Sequence, residues 1–152
     1  PVAAQMLYNA LVRQLDFEFF AFAKAHPIHV TVYNPLAGGL LAREAQVGDG
    51  FPKGSRFEKN AMYRKRYWTD ALIDLSRRMR ALAAEAGWDG VKLAYAWLAG
   101  RPGVDSVLAG PGTVAHLDAA IDGCAAELPA DLRARVDDLH RAFTGTDARY
   151  AR

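Results

Sequence analysis

The sequence predicts an α/β protein with about three parallel strands and flanking helices. Three observations predict it. Short extended or β-branched runs alternate with segments of helical period. Strands separated by helices need crossovers, and crossovers place strands side by side in the same direction. Two of the strands run straight into glycine-containing turns, the position at which α/β proteins bind ligands beyond the carboxyl ends of their strands. With 152 residues, 51% of them apolar, the chain can bury one real core but not two.

The elements follow in order. Val2-Ala3-Ala4-Gln5-Met6 is a short extended run, and Gln14 to Ala25 places Leu15, Phe19, Phe22 and Ala23 on one helical face. Ile28 to Tyr33 is a β-branched strand. From Gly38 to about Arg64 the chain carries Gly38, Gly39, Gly48, Gly50, Pro52 and Gly54, so it reads as one long loop. Trp68, Leu72, Leu75, Met79, Leu82 and Ala86 recur every three or four residues, which predicts an amphipathic helix ending at Gly87. A shorter helix over Val91 to Ala99 is stopped by Gly100-Arg101-Pro102-Gly103. Val104 to Ala109 is the next strand, Thr113 to about Ile121 a helix, and Leu132, Val136, Leu139 and Phe143 mark the last helix.

A formal charge of +2 argues against a non-specific nucleic-acid or membrane-surface binder. Cys124, the single cysteine, cannot form an internal disulfide and favours a reducing compartment. No apolar run approaches the roughly 18 residues of a spanning helix, and the opening residues do not form a secretory leader. The expectation is a cytoplasmic protein that is processed or truncated ahead of Pro1.

Val32-Tyr33-Asn34-Pro35-Leu36-Ala37-Gly38-Gly39 closes a buried-looking strand with an aromatic, a proline and paired glycines. Glycines let backbone N–H groups approach an anion closely, and a helix amino terminus beyond them adds a favourable dipole. The turns after the two strands therefore resemble a phosphate cradle. Tyr33, at the mouth of its strand, either offers a ring for stacking or packs in the core. Gly110-Pro111-Gly112-Thr113-Val114-Ala115 also matches G-x-G-x-x-A, the dinucleotide fingerprint. A Rossmann fold would then need a second strand ending in an acidic residue about 20 positions on, and Leu128 to Leu132 reads as a helix start instead.

Other features have plain readings. His26-Pro27-Ile28-His29 is not a metal site, because the proline interrupts any helix and no third ligand is near. Arg64-Lys65-Arg66 reads as a solvated helix start, with a phosphate or a partner as the alternative. Cys124 lacks an activating neighbour and reads as a packed thiol.

Taken in order, the motifs resemble the carboxyl-terminal half of an aldo-keto reductase. Gln5-Met6-Leu7-Tyr8-Asn9-Ala10-Leu11 is similar to that family's sixth-strand segment, and Val32 to Leu41 to its seventh strand and the Y-x-P-L-A-G-G-L-L turn. Pro52-Lys53-Gly54-Ser55-Arg56-Phe57 is similar to the P-x-G-S-R-F loop, and Leu93 to Leu98 to the L-A-x-A-W-L helix. Arg101 to Val104 and Gly110 to Leu117 are similar to the eighth strand and its turn, and Glu127 to Leu132 to the final helix.

The resemblance implies a partial (β/α)8 TIM barrel, with residues 1–152 as the carboxyl-terminal portion of one barrel domain. It implies reduction of aldehydes or ketones with a nicotinamide dinucleotide, NADPH (NADP) first and NAD as the alternative. Gln5 would hydrogen-bond the carboxamide, and Tyr33 would stack on the nicotinamide. Asn34, Leu36 and Gly38 would line the pyrophosphate, Arg56 would close the loop over the phosphates, and Gly110 and Gly112 would face the adenosine phosphate.

This chain also departs from the family. Glu44 stands where a lysine is common, and Ala119-Ala120 where T-P-E-Q-L-x-E-N has its acid and amide. His116 either meets a 2′-phosphate or faces solvent. The family's catalytic aspartate, tyrosine, lysine and histidine lie on strands two to four, so no residue here inherits a catalytic role. The expectation is a cofactor-binding half, inactive alone, completed by a complementary barrel half or a homo-oligomer. The alternative is a non-catalytic nucleotide-binding or assembly module.

Overall fold

The computed structural model describes residues 1–46, 48 and 50–145. Strands β1 (Ala3–Leu7), β2 (His29–Tyr33) and β3 (Ser106–Leu108) form one sheet in the order β1-β2-β3. All pairing is parallel, with Leu7 opposite Tyr33 and Tyr33 opposite Leu108. Among the described residues seven α-helices accompany them: α1 (Phe19–Ala25), α2 (Arg56–Lys59), α3 (Ala61–Tyr67), α4 (Asp70–Glu85), α5 (Gly90–Ala99), α6 (Val114–Ala125) and α7 (Ala130–Thr144).

The alternation within β2 decides which face of the sheet is covered. Val30 and Val32 are buried, whereas His29 is exposed and Thr31 and Tyr33 are half-buried. Residues one apart point to opposite faces, so the helices pack on the valine side. There Leu75, Met79 and Ala83 of α4, Leu93, Ala94, Trp97 and Leu98 of α5, and Leu132 and Val136 of α7 close the core. The opposite face carries Gln5 and Leu7, Thr31 and Tyr33, and Ser106 and Leu108 in register. Its polar members interact across the strands: the Thr31 and Ser106 hydroxyls are 2.8 Å apart, and His29 Nε2 lies 3.0 Å from Ser106 Oγ.

Local chemistry explains the helix ends. Thr69, Asp89 and Thr113 each use a side-chain oxygen to accept a first-turn N–H of α4, α5 and α6. Gly87, at φ 72°, lets the chain leave α4 in the left-handed conformation. Helix α6 approaches α5 closely because Gly123 has no side chain: a β-carbon there would stand 2.7 Å from Tyr95 Cβ.

Two expectations about elements are corrected. The helix from Gln14 to Ala25 is a single 3-10 turn at Gln14–Asp16 followed by α1, with Glu18 at φ −139° between them. Tertiary bonds claim the ends of the 3-10 turn: Asp16 takes hydrogen bonds from Tyr8 (2.5 Å) and Arg101 (2.8 Å), and the Gln14 amide donates to the Leu7 carbonyl. The stretch from Gly38 to Arg64 is also not one loop. It holds the 3-10 turn Ala37–Gly39, then α2 and most of α3, organised by the aromatic contacts of Phe57 with Tyr63 and Trp68. Val47 and Asp49, within it, lie outside the described residues.

Candidate functional site

Parallel strands bring all three strand exits to one end of the sheet. On the open face the last row is Leu7, Tyr33 and Leu108, with Tyr33 central. Gln5 stands one pleat below on the neighbouring strand, exposed and on the same face as Tyr33. Tyr33 is half-buried and lies outside the core cluster on the helix side of the sheet.

The turn after β2 is strained. Asn34 (φ 66°), Ala37 (φ 50°), Gly38 (φ 72°) and Gly39 (φ 106°) all adopt positive φ, which costs a non-glycine residue such as Ala37 about 1–2 kcal/mol. The Asn34 side chain helps hold this shape, because its Oδ1 accepts the Gly38 N–H at 3.0 Å. Leu36 is half-buried against the core, and its carbonyl accepts the Gly39 N–H at 2.8 Å. Gly38 has a cause that the sequence did not reveal: a β-carbon there would stand 2.9 Å from the Phe57 ring and 3.1 Å from Tyr63.

Helices α2 and α3 arch over this turn towards β3. Arg56, exposed on α2, donates to the Tyr63 hydroxyl at 2.9 Å and lies 5.6 Å from that ring's centroid. Its Nη2 also lies 3.4 Å from where a β-carbon of Gly110 would stand. The structure thus brings Gln5, Tyr33, Asn34, Leu36, Gly38, Arg56 and Gly110 to one end of the sheet. Gly112 is there too, exposed, with His116 Nδ1 3.6 Å from its would-be β-carbon. This arrangement has an aromatic face, an amide, a guanidinium and a backbone without side chains. It suits a long ligand with a flat polar ring at one end and anionic groups further along.

Sequence reasoning missed Asn9 and Tyr67, both fully buried at this end. A signal was present, since Tyr-Asn occurs at both strand exits, residues 8–9 and 33–34. The two copies are offset by one in register, Leu7 pairing with Tyr33. Tyr8 therefore points into the helix layer, stacked on Trp97 at 5.4 Å, while Tyr33 points to the open face.

Elsewhere, Arg64-Lys65-Arg66 is a helix end and not a start: it forms the last turn of α3, where cations meet the negative end of the helix dipole. Arg64 lies 4.7 Å over the Phe51 ring. Cys124 is exposed and not packed, because α6 turns Ala120 and Gly123 to α5; desolvation raises its pKa and keeps the thiol protonated. Clefts of about 580 Å³ beside Phe20, Ile28 and Pro102, and of about 640 Å³ between α5 and the start of α7, lie away from the strand exits. The exits form a rim open on one side, since the sheet ends at β1 and β3. Among the described residues no helix is long and apolar enough to cross a membrane, and no group of three or more His, Cys, Asp or Glu could hold a metal ion.

Known proteins resemble this chain in sequence and in fold. The sequence profile of the Aldo/keto reductase family matches residues 1–141. An aldo-keto reductase of Pseudocercospora fijiensis is 28% identical over 142 residues, covering 87% of this chain and 48% of the relative. A probable voltage-gated potassium channel subunit beta of Arabidopsis thaliana is 32% identical over 113 residues, 72% of this chain and 34% of that protein. The chain thus spans about half, or less, of the length of these curated relatives. Among solved structures, a glycerol dehydrogenase from Gluconobacter oxydans superposes with a TM-score of 0.71 at 19% identity, over 93% of this chain and 42% of that one. This likeness supports the fold: three parallel strands with flanking helices form part of a barrel. On the profile match across most of its length, the chain belongs to the aldo-keto reductase family.

Proposed function

We propose that this chain is the cofactor-binding portion of an NADPH-dependent carbonyl reductase, residues 1–152 being the carboxyl-terminal part of one barrel domain. NADPH, when bound, supplies the hydride; NAD is the alternative cofactor. The carrying observation is the placement of the Arg56 guanidinium against Gly110, at the same strand ends as Tyr33 and Gln5. Gln5 holds the carboxamide and Tyr33 lies against the nicotinamide ring, fixing which face is presented. Asn34, Leu36 and Gly38 line the diphosphate, Arg56 neutralises it, and Gly110 and Gly112 leave room for the adenosine phosphate.

Completion by a complementary half is supported by what remains uncovered. Strands β1 and β3 are both edges, and one sheet face is open. Val2, Phe17, Phe22, Leu108, Val114, Leu117 and Ile121 are exposed. Parallel sheets are normally covered on both faces, and a barrel removes its edges by closing. Alone, the chain turns over no aldehyde or ketone; joined to the missing barrel units it does.

The test is a titration of the chain with NADPH, followed by a carbonyl-reduction assay before and after the missing units are added. Saturable binding that weakens in Tyr33→Ala and Arg56→Ala, with reduction only after completion, is the expected result. Binding with no reduction after completion would indicate the non-catalytic module. Affinity indifferent to Tyr33→Ala would remove the stacking role.

A further inference from the structure

Three separate segments meet on one buried phenol. Tyr67, the last residue of α3, is fully buried, and its hydroxyl oxygen accepts the Asn34 Nδ2–H at 2.7 Å and the Asn9 Nδ2–H at 3.2 Å. The second Asn9 amide hydrogen goes to the Asn34 carbonyl at 3.1 Å.

The orientations of both amides follow from their oxygens. Asn9 Oδ1 accepts the Leu11 and Val12 backbone N–H groups, each at 3.0 Å, so its nitrogen must face Tyr67. Asn34 Oδ1 accepts the Gly38 N–H, so its nitrogen also faces Tyr67. The phenol therefore acts as a double acceptor. Burial raises its pKa, so both lone pairs belong to a neutral hydroxyl at physiological pH.

We infer that Tyr67 is a positioning residue of the dinucleotide mouth, clamping the exits of β1 and β2 to the crossover that carries Arg56. This rests on the proposed function for its ligand, but its structural part stands independently. An asparagine amide turns freely about its last torsion unless both ends are held. The phenol holds the nitrogen end of Asn34, which keeps Oδ1 on Gly38 and the turn in its left-handed path. The same residue ends the helix whose Tyr63 receives Arg56, so one oxygen sets both sides of the mouth. A tyrosine that merely filled space would do neither.

The discriminating variant is Tyr67→Phe, which keeps the ring and removes the oxygen. In the full chain, amide hydrogen exchange at Gly38 should accelerate about tenfold, while Val30 and Val32 in β2 keep their protection. NADPH affinity should fall about tenfold. Asn34→Gly, which tolerates the positive φ, should produce the same Gly38 exchange, and adding Tyr67→Phe to it should change little further.

Unchanged Gly38 exchange in Tyr67→Phe, or effects that add fully to those of Asn34→Gly, would overturn the inference. If Tyr67→Phe does not fold, the unaltered chain still decides: the Asn9 and Asn34 side-chain amides must exchange more slowly than that of Asn60, and equal rates would sink the clamp. Absence of NADPH binding by the unaltered chain would remove the proposed function, whereas the exchange result would stand by itself.

Discussion

The Arg56 guanidinium lies 3.4 Å from the position that a β-carbon on Gly110 would take. The contact joins the segment after β2 to the exit of β3, across 54 residues of sequence. It also makes Gly110 a position where bulk would act on a side chain and not on the backbone, because Gly110 has no positive φ. Gly110→Val is therefore expected to leave unfolding stability within about 0.5 kcal/mol while pushing Arg56 aside. NADPH affinity, followed by fluorescence titration, should fall about tenfold, the loss expected for one charge-assisted hydrogen bond.

Gly38→Ala should behave in the opposite way. Its backbone is left-handed, and the added carbon would meet the Phe57 and Tyr63 rings at 2.9 and 3.1 Å. Strain and overpacking together should cost about 2–4 kcal/mol in a urea unfolding experiment. An alanine variant as stable as the parent would show that α2 and α3 do not rest on this turn.

Asp137→Ala tests the ion pair that joins the segment after β1 to α7. The Arg13 guanidinium, with its side chain 4% exposed, pairs with Asp137 and stacks 4.3 Å over Trp97. Removing the carboxylate leaves that cation buried and unpaired, and leaves the Trp97 indole N–H without the acceptor it has at 3.4 Å. A loss of about 3 kcal/mol or more is expected from denaturant unfolding followed by tryptophan fluorescence.

Acid should weaken the fold through His140. Burial, reinforced by the nearby Arg13 charge, lowers its pKa from 6.5 to about 4. The folded pKa lies below the unfolded one, so the unfolded chain binds the proton first. The His140 contribution to stability is fully retained above pH 6.5 and declines as pH falls towards 4. Unfolding free energy measured across that window should slope less steeply in His140→Gln than in the parent. Equal slopes would remove His140 as the source.

The amino-acid sequence by itself determined the parallel order of strands, the long amphipathic helix over Leu72 to Leu82, and the family motifs that mark both strand exits. These are local quantities: β-branched runs, apolar residues every three or four positions, glycine next to proline.

Only the tertiary structure decided where the remaining side chains go. The Gln14 to Ala25 pattern looks helical, yet Asp16 serves Tyr8 and Arg101 instead, because tertiary hydrogen bonds outweigh local propensity. Two Tyr-Asn pairs look alike, and a register offset of one residue sends one tyrosine into the helix layer and the other to the open face. Gly38 answers to aromatic rings about 20 residues further on, and Tyr67 to amides on two different strand exits. Such contacts exist only after chain closure brings distant segments within a few ångströms, so no periodicity or spacing in the sequence could carry them.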